Sequence, residues 1–302
     1  MASISARKST IVRADRATRA RLFALTLAER EAPSLGARLA VRMWMTIPAA
    51  IPETARPRLT APGSRVVLDS GVVAESWGAG PAVYLMHGWG GYRGQLGAFV
   101  APLTEAGFRV VAVDAPGHGE SGPGSYGRRR ALMPDFISAL QDAIACYGPP
   151  HGVVAHSLGA SAVATATLDG LDTGRLVLIA PISNVMSGLD IFSRMARIGP
   201  VVRAQMPRRI ERITRMPASH FDIAARAAEC DELPPALVIH DAADKVSPFD
   251  NGALVAAAWP GGRLEATKGL GHNRILSDPG VIAKAVTFLA RQQSLAGQAT
   301  SG

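Results

Sequence analysis

The apolar and polar positions along this 302-residue chain change their period part-way. Over residues 14–31 and 34–46 apolar side chains recur at helical spacing, with Leu22 and Leu25 in the first stretch and Leu35, Leu39 and Met43 in the second. That spacing predicts two helices, broken by Pro33-Ser34, where the serine supplies an N-cap. A proline-rich link (Pro48, Pro52, Pro57, Pro62) leads to 65–68 and 72–76, two short strands joined by Ser70-Gly71, which read as a β-hairpin. Thereafter apolar runs at 82–86, 109–113, 152–155, 175–179 and 236–239 alternate with helical segments near 95–106, 134–147, 158–169, 248–258 and 279–292. A last strand is expected near 263–266. Continuously apolar strands separated by helices indicate an α/β domain whose mostly parallel sheet is covered on both faces.

The alternation lapses once. Between the runs at 175–179 and 236–239 lie about 55 residues, far more than a crossover needs. The excess predicts a helical cap inserted at about 182–219, after which 221–229 resumes as a core helix. The expected organisation is therefore an N-terminal helical extension and linker over 1–63, followed by an α/β domain with its cap over 64–302. No internal repeat is present.

Charge sharpens this division. The first 65 residues carry twelve arginines and lysines against four carboxylates, which accounts for the whole formal charge of +8 and leaves the remainder neutral. Within that remainder, 190–216 is basic, with seven arginines against Asp190 and Glu211. Solvated faces of amphipathic helices are the first reading of these cap arginines, and an electropositive lid favouring anionic substrates is the second. Arg128-Arg129-Arg130 is expected in the loop before Pro134 and Asp135 open a helix, because cations are disfavoured at a helix N-terminus. The N-terminal helices are expected to pack with their arginines outward, a peripheral contact with anionic membrane being the alternative. No recognition motif or aromatic platform accompanies the charge, so no nucleic-acid partner is expected. Apolar runs fall short of the ~18–20 residues of a membrane span, and the start lacks the apolar core of a secretory signal. With only Cys146 and Cys230, far apart, neither a disulfide framework nor a zinc site is expected, and a cytoplasmic location fits.

In open α/β sheets functional groups gather beyond the carboxyl ends of the strands. At those places stand His87-Gly88-Trp89-Gly90-Gly91, then Asp114-Ala115-Pro116-Gly117-His118-Gly119-Glu120-Ser121, then Ser157, then His240-Asp241-Ala242-Ala243-Asp244, and finally Gly269-Leu270-Gly271-His272. Ser157 lies in Val153-Val154-Ala155-His156-Ser157-Leu158-Gly159, a strand breaking into a helix, with small residues two before and two after the serine as a sharp corner requires. Ala155 stands where glycine is usual. The order Ser, Asp, His along the chain is that of an α/β-hydrolase triad.

On the motifs HGWGG, DAPGHGES, AHSLG, HDAADKVSP and GLGH, in that order, residues 64–293 resemble the serine α/β-hydrolase superfamily. GLGHNRILSDP further resembles a bacterial esterase- or thioesterase-like group. The resemblance implies Ser157 as nucleophile, Asp244 as acid and His272 as base, with the backbone N–H groups of Trp89 and Leu158 forming an oxyanion hole. Asp241 is the competitor of Asp244 and is read as a turn former, as is Asp114. His87, His118 and His156 are read as hydrogen-bonded structural histidines, and the Trp89 ring as a pocket wall. No cofactor and no metal are implied. The expected reaction is cleavage of a carboxylic ester or thioester of a small acyl substrate through an acyl-Ser157 intermediate, with an anionic portion on the substrate as the subsidiary reading. C–C bond hydrolysis, cofactor-free perhydrolysis and non-catalytic ligand binding on the same fold stay open as alternatives.

Overall fold

The strand β3 (Ala82–Met86) shows how the interior is organised: all five residues are buried, Tyr84 and Met86 pack into one apolar layer, and Val83 and Leu85 pack into the other. Side chains that alternate across a pleat need both faces covered when every residue is apolar. The structure is a computed structural model and describes residues 16–48 and 62–291. Most of the proline-rich link, with Pro52 and Pro57, lies outside the described residues.

Among the described residues eight strands form one sheet: β1 (Ser64–Val67), β2 (Val73–Trp77), β3, β4 (Arg109–Asp114), β5 (Pro150–His156), β6 (Arg175–Ile179), β7 (Ala236–Asp241) and β8 (Arg263–Thr267). Their spatial order is β1-β2-β4-β3-β5-β6-β7-β8. The β1–β2 hairpin joins antiparallel to β4, and every other neighbouring pair is parallel. One layer is built from α4 (Met133–Tyr147), α5 (Leu158–Leu168), α8 (Ile223–Ala227) and α9 (Phe249–Ala258). The opposite layer holds α3 (Val100–Glu105) and α11 (Pro279–Ala290). This is the α/β-hydrolase architecture.

Three local readings need correction. The helix expected over 95–106 is a 3-10 stretch, Arg93–Phe99, running into the short α3. Gly94 and Gly97 lower the helical propensity there, and the tighter turn takes over. Residues 221–229 likewise divide into a 3-10 turn, Ala218–Phe221, and α8, because the Asp222 side chain accepts from the Ala225 N–H and starts a new helix. Finally, α1 (Arg16–Glu31) and α2 (Pro33–Met45) are separated by Ala32 alone. Pro33 opens α2 as its first residue, where its missing N–H costs nothing, and Ser34 accepts a hydrogen bond from Arg209 in place of capping.

The inserted cap is a pair of helices, α6 (Val185–Ala196) and α7 (Pro200–Thr214), turned at Arg197 in a left-handed conformation (φ 51°). On this pair the N-terminal helices pack. Ala37, Ala40, Val41 and Met45 of α2 share a third apolar cluster with Leu189, Ile198, Val202, Met206 and Ile210 of the cap. A Cβ on Gly36 would lie 2.7 Å from Val202 Cγ2 and 2.9 Å from Ala28 Cβ, so this glycine is where three helices meet. Glu29 of α1 accepts from the N–H groups of Val201 and Val202, capping α7 from another element. After α2 the chain is strapped to the body: the N–H of Ile47 donates to the Arg129 carbonyl, that of Ala131 to the Met45 carbonyl, and the Ile47 side chain enters the main core.

A candidate active site at the strand ends

The middle strand β5 stops at His156, and Ser157 takes φ 52° and ψ −122°, a backbone conformation that a residue with a Cβ adopts only at a cost. The corner is held by the Ser157 N–H, which donates to the Ile179 carbonyl of β6, and by the first turn of α5. Two close approaches enforce it. A Cβ on Gly159 would stand 2.2 Å from the His87 carbonyl oxygen, and one on Gly88 would stand 2.9 Å from Ser157 Cβ. Ala155, where glycine was expected, is fully buried in the main core, so its methyl is accommodated in the packing.

Ser157 lies 3.0 Å (Oγ to Nε2) from His272, at the start of the short helix α10 (Gly271–Arg274), with the hydroxyl placed to donate to the ring nitrogen. On its other edge His272 Nδ1 donates to Asp244 Oδ2 at 2.7 Å. Because a carboxylate only accepts, this contact puts the ring proton on Nδ1 and leaves Nε2 free to take the serine proton. The Asp244 carboxylate is itself fixed: Oδ1 accepts from the N–H groups of Val246 and Ser247, and His240 lies 3.6 Å from Oδ2. Burial raises its pKa, yet His240, His272 and the Val246 N–H outweigh burial and hold it well below the usual carboxylate range. Asp244 therefore stays charged beside the imidazole it orients.

Asp241 has another task. Its buried carboxylate accepts from Ala243 N–H, Leu270 N–H and Thr267 Oγ1, which ties the loop after β7 to the loop that carries His272. Asp114 is also structural: with Glu75 it holds the buried Arg93 guanidinium, and it accepts from the backbone of Arg93 and Glu120. Both hold loops in place over longer spans than the local turns the sequence suggested.

The loop after β3 brings Gly88 against the serine. His87 accepts the Ala115 N–H at Nε2 and donates from Nδ1 to the Gly88 carbonyl, pinning the loop's base, and burial lowers its pKa to about 4. The Trp89 ring packs edge-on against His118, which also meets His87 and Phe136, so the ring supports the loop. Gly88, next to Trp89, lies against Ser157, and the N–H of Leu158, at the first position of α5, has no preceding helical turn to accept it. Such a donor can receive charge that develops on an oxygen bound at Ser157.

One residue does more than its sequence reading implied. His156, beside the serine, donates from Nε2 to the backbone carbonyl of His272 at 2.9 Å, and its ring lies 4.6 Å from the His272 ring. Burial, and then His272 next to it, lowers its pKa to about 3, so it stays neutral and positions the partner imidazole. The N-terminal strap also reaches the site, since Pro48 packs within 3.3 Å of where a Gly90 Cβ would be, one residue after Trp89. Among the described residues no cluster of His, Cys, Asp and Glu has the arrangement of a metal site, Cys146 and Cys230 are unpaired, and no helix is long and apolar enough to cross a membrane.

The profile of the alpha/beta hydrolase family matches residues 83–285. Among curated proteins, a pimeloyl-[acyl-carrier protein] methyl ester esterase of Methylococcus capsulatus is 49% identical over 51 residues, which is 17% of this chain and 20% of that enzyme, so the likeness spans about a fifth of the relative's length. Among solved structures, an esterase from Exiguobacterium antarcticum superposes with a TM-score of 0.56 at 17% identity, covering 76% of this chain and 100% of the esterase. A monoacylglycerol lipase of Paleococcus ferrophilus does so with a TM-score of 0.54 at 22% identity, covering 72% and 98%.

Proposed function

From the chain's membership of the alpha/beta hydrolase family, and so from its standing as a hydrolase, we propose that it is a serine hydrolase that cleaves a carboxylic ester or thioester through an acyl-Ser157 intermediate. The observation that carries this reading is the continuous relay from Ser157 Oγ to His272 Nε2 (3.0 Å) and from His272 Nδ1 to Asp244 (2.7 Å). A serine hydroxyl is a weak nucleophile at neutral pH and needs a neutral base within hydrogen-bond reach. In acylation the Ser157 oxygen attacks the acyl carbon while His272 Nε2 takes its proton. The oxyanion of the tetrahedral adduct is received by the N–H groups of Trp89 and Leu158. His272 then returns the proton to the leaving oxygen or sulfur. A water molecule deprotonated by the same nitrogen releases the acid and restores the serine. Asp244 holds the imidazole in the required tautomer and stabilises its charged form. The partial likeness to an ester esterase and the fold shared with an esterase and a lipase support the ester reading.

The test is covalent labelling with a fluorophosphonate probe. The wild type is expected to label, and Ser157→Ala and His272→Ala are expected to remain unlabelled. A wild type that fails to label overturns the reading, and labelling that survives Ser157→Ala overturns the choice of nucleophile.

A further inference from the structure

A concavity lies where α2, the loop before α4 and α7 converge. It encloses about 610 Å³, within the ~300–1,000 Å³ range of small-molecule sites, and none of Ser157, Asp244 and His272 lines it. Five arginines line it: Arg38 and Arg42 from α2, Arg130 from the loop, and Arg209 and Arg212 from α7. Among the described residues none of the five pairs with a carboxylate, although Arg93, Arg203 and Arg226 elsewhere all do. Arg209 donates to the carbonyl and hydroxyl oxygens of Ser34, and Arg212 donates to the Arg208 carbonyl, so neutral oxygens are their partners. Desolvation, and then Arg212 and Arg38 beside it, lowers the Arg209 pKa, as expected of cations gathered without a counter-charge. The neighbouring acids are occupied: Glu29 caps α7, Asp190 pairs with Arg203, Glu211 accepts the Ala218 N–H, and Asp135 accepts the Ser125 and Leu132 N–H groups.

We propose that this cleft is a binding site for a soluble organic diphosphate, distinct from the catalytic site. One singly charged anion would leave most of the five cations repelling one another, whereas a diphosphate brings several charges and oxygens spread along its length. Guanidinium forks match phosphate oxygens in pairs, and the cleft has no lysine. The remaining wall is organic in character. Leu39, Met45 and Ile213 with the half-buried Tyr126 ring offer an apolar surface to whatever the phosphates carry. Concavity favours a small molecule over a membrane, since a headgroup layer meets projecting faces. The cleft joins two parts of the chain: α2 lies outside the residues matched by the family profile, and α7 lies within them. A bound diphosphate would therefore screen the repulsion between α2 and α7 and fasten the N-terminal helices to the cap.

The test uses the full chain and two soluble probes, inorganic pyrophosphate and ADP, in titration calorimetry and thermal melts at low salt. Saturable binding of both probes, tighter for ADP, with a rise in Tm, is expected. Arg38→Ala/Arg212→Ala is expected to weaken binding at least tenfold, whereas Arg203→Ala, on the same helix but paired with Asp190, leaves it within twofold. Fluorophosphonate labelling is followed in parallel, and since it reads Ser157 alone, loss of diphosphate binding and loss of hydrolase chemistry are separately visible. Absence of saturable binding by the wild type overturns the proposal. So does equal weakening by Arg203→Ala, which would report bulk charge. Capture by vesicles of phosphatidylcholine with phosphatidylglycerol, without pyrophosphate binding, overturns it in favour of a membrane face.

Discussion

Asp244 and His156 act on the same imidazole from different sides, one through Nδ1 and one through the backbone carbonyl. Asp244→Asn keeps the size of the side chain but offers an N–H to Nδ1, which favours the wrong tautomer, and kcat is expected to fall by roughly 10³–10⁴ with the fold retained. Steady-state rates on a simple ester beside far-UV circular dichroism check this. His156→Phe keeps a ring against His272 but loses the donor, and a smaller fall of about tenfold in kcat with KM little changed is expected; an unaltered kcat would remove His156 from the positioning of the base. The buried histidines also set a pH limit. The pKa values of His87, His118 and His156 are lowered to about 4, 3 and 3, chiefly by burial. Unfolded, each takes a proton near 6.5, so below that value the unfolded state binds more protons than the folded one. Stability therefore falls as pH drops from about 6.5 towards the folded values, by about 2 kcal/mol per histidine between pH 7 and pH 5. Urea midpoints at the two pH values read this directly, and equal midpoints would refute it.

At the scale of elements, the hairpin and the loop after β3 are joined through Arg93, whose guanidinium meets Glu75 of β2, Asp114 at the end of β4 and Glu120. Arg93→Met would leave two carboxylates buried without their cation, and a loss of about 3–5 kcal/mol in denaturant unfolding is expected. A loss below 1 kcal/mol would mean that water replaces the guanidinium. Much of this organisation was legible in the sequence. The strands β3 and β6 announce themselves because a strand covered on both faces is apolar throughout, and Ser157 and Asp244 because each follows such a strand. The edge strand β8, with Arg263 and Leu264 exposed, gives a weaker pattern. Contacts across long separations leave no local trace: the His156–His272 carbonyl bond spans 116 positions and the Glu29–Val201 cap spans 172. The arginine cleft escaped for the same reason, since the sequence shows two basic stretches and only the packing of α2 on α7 faces them toward one another.

For the whole molecule, the N-terminal helices form an integral part of the cap. Deleting residues 1–48 would uncover Leu189, Ile198, Val202, Met206 and Ile210 and withdraw Ile47 from the main core, at a cost on the order of 5 kcal/mol. A lowered Tm with increased binding of an apolar dye is expected, and an unchanged melt would show that the hydrolase body stands without them. The same packing bears on how the chain is made. The helix α2 leaves the ribosome about 155 residues ahead of α7, and at ~5–20 residues per second its apolar face waits on the order of ten to thirty seconds for its partner. Helices α1 and α2 are thus synthesised well before the cap helix on which they dock. During translation they are a natural client for chaperones, and a slow codon run or a ribosome stall before residue 200 would prolong their exposure.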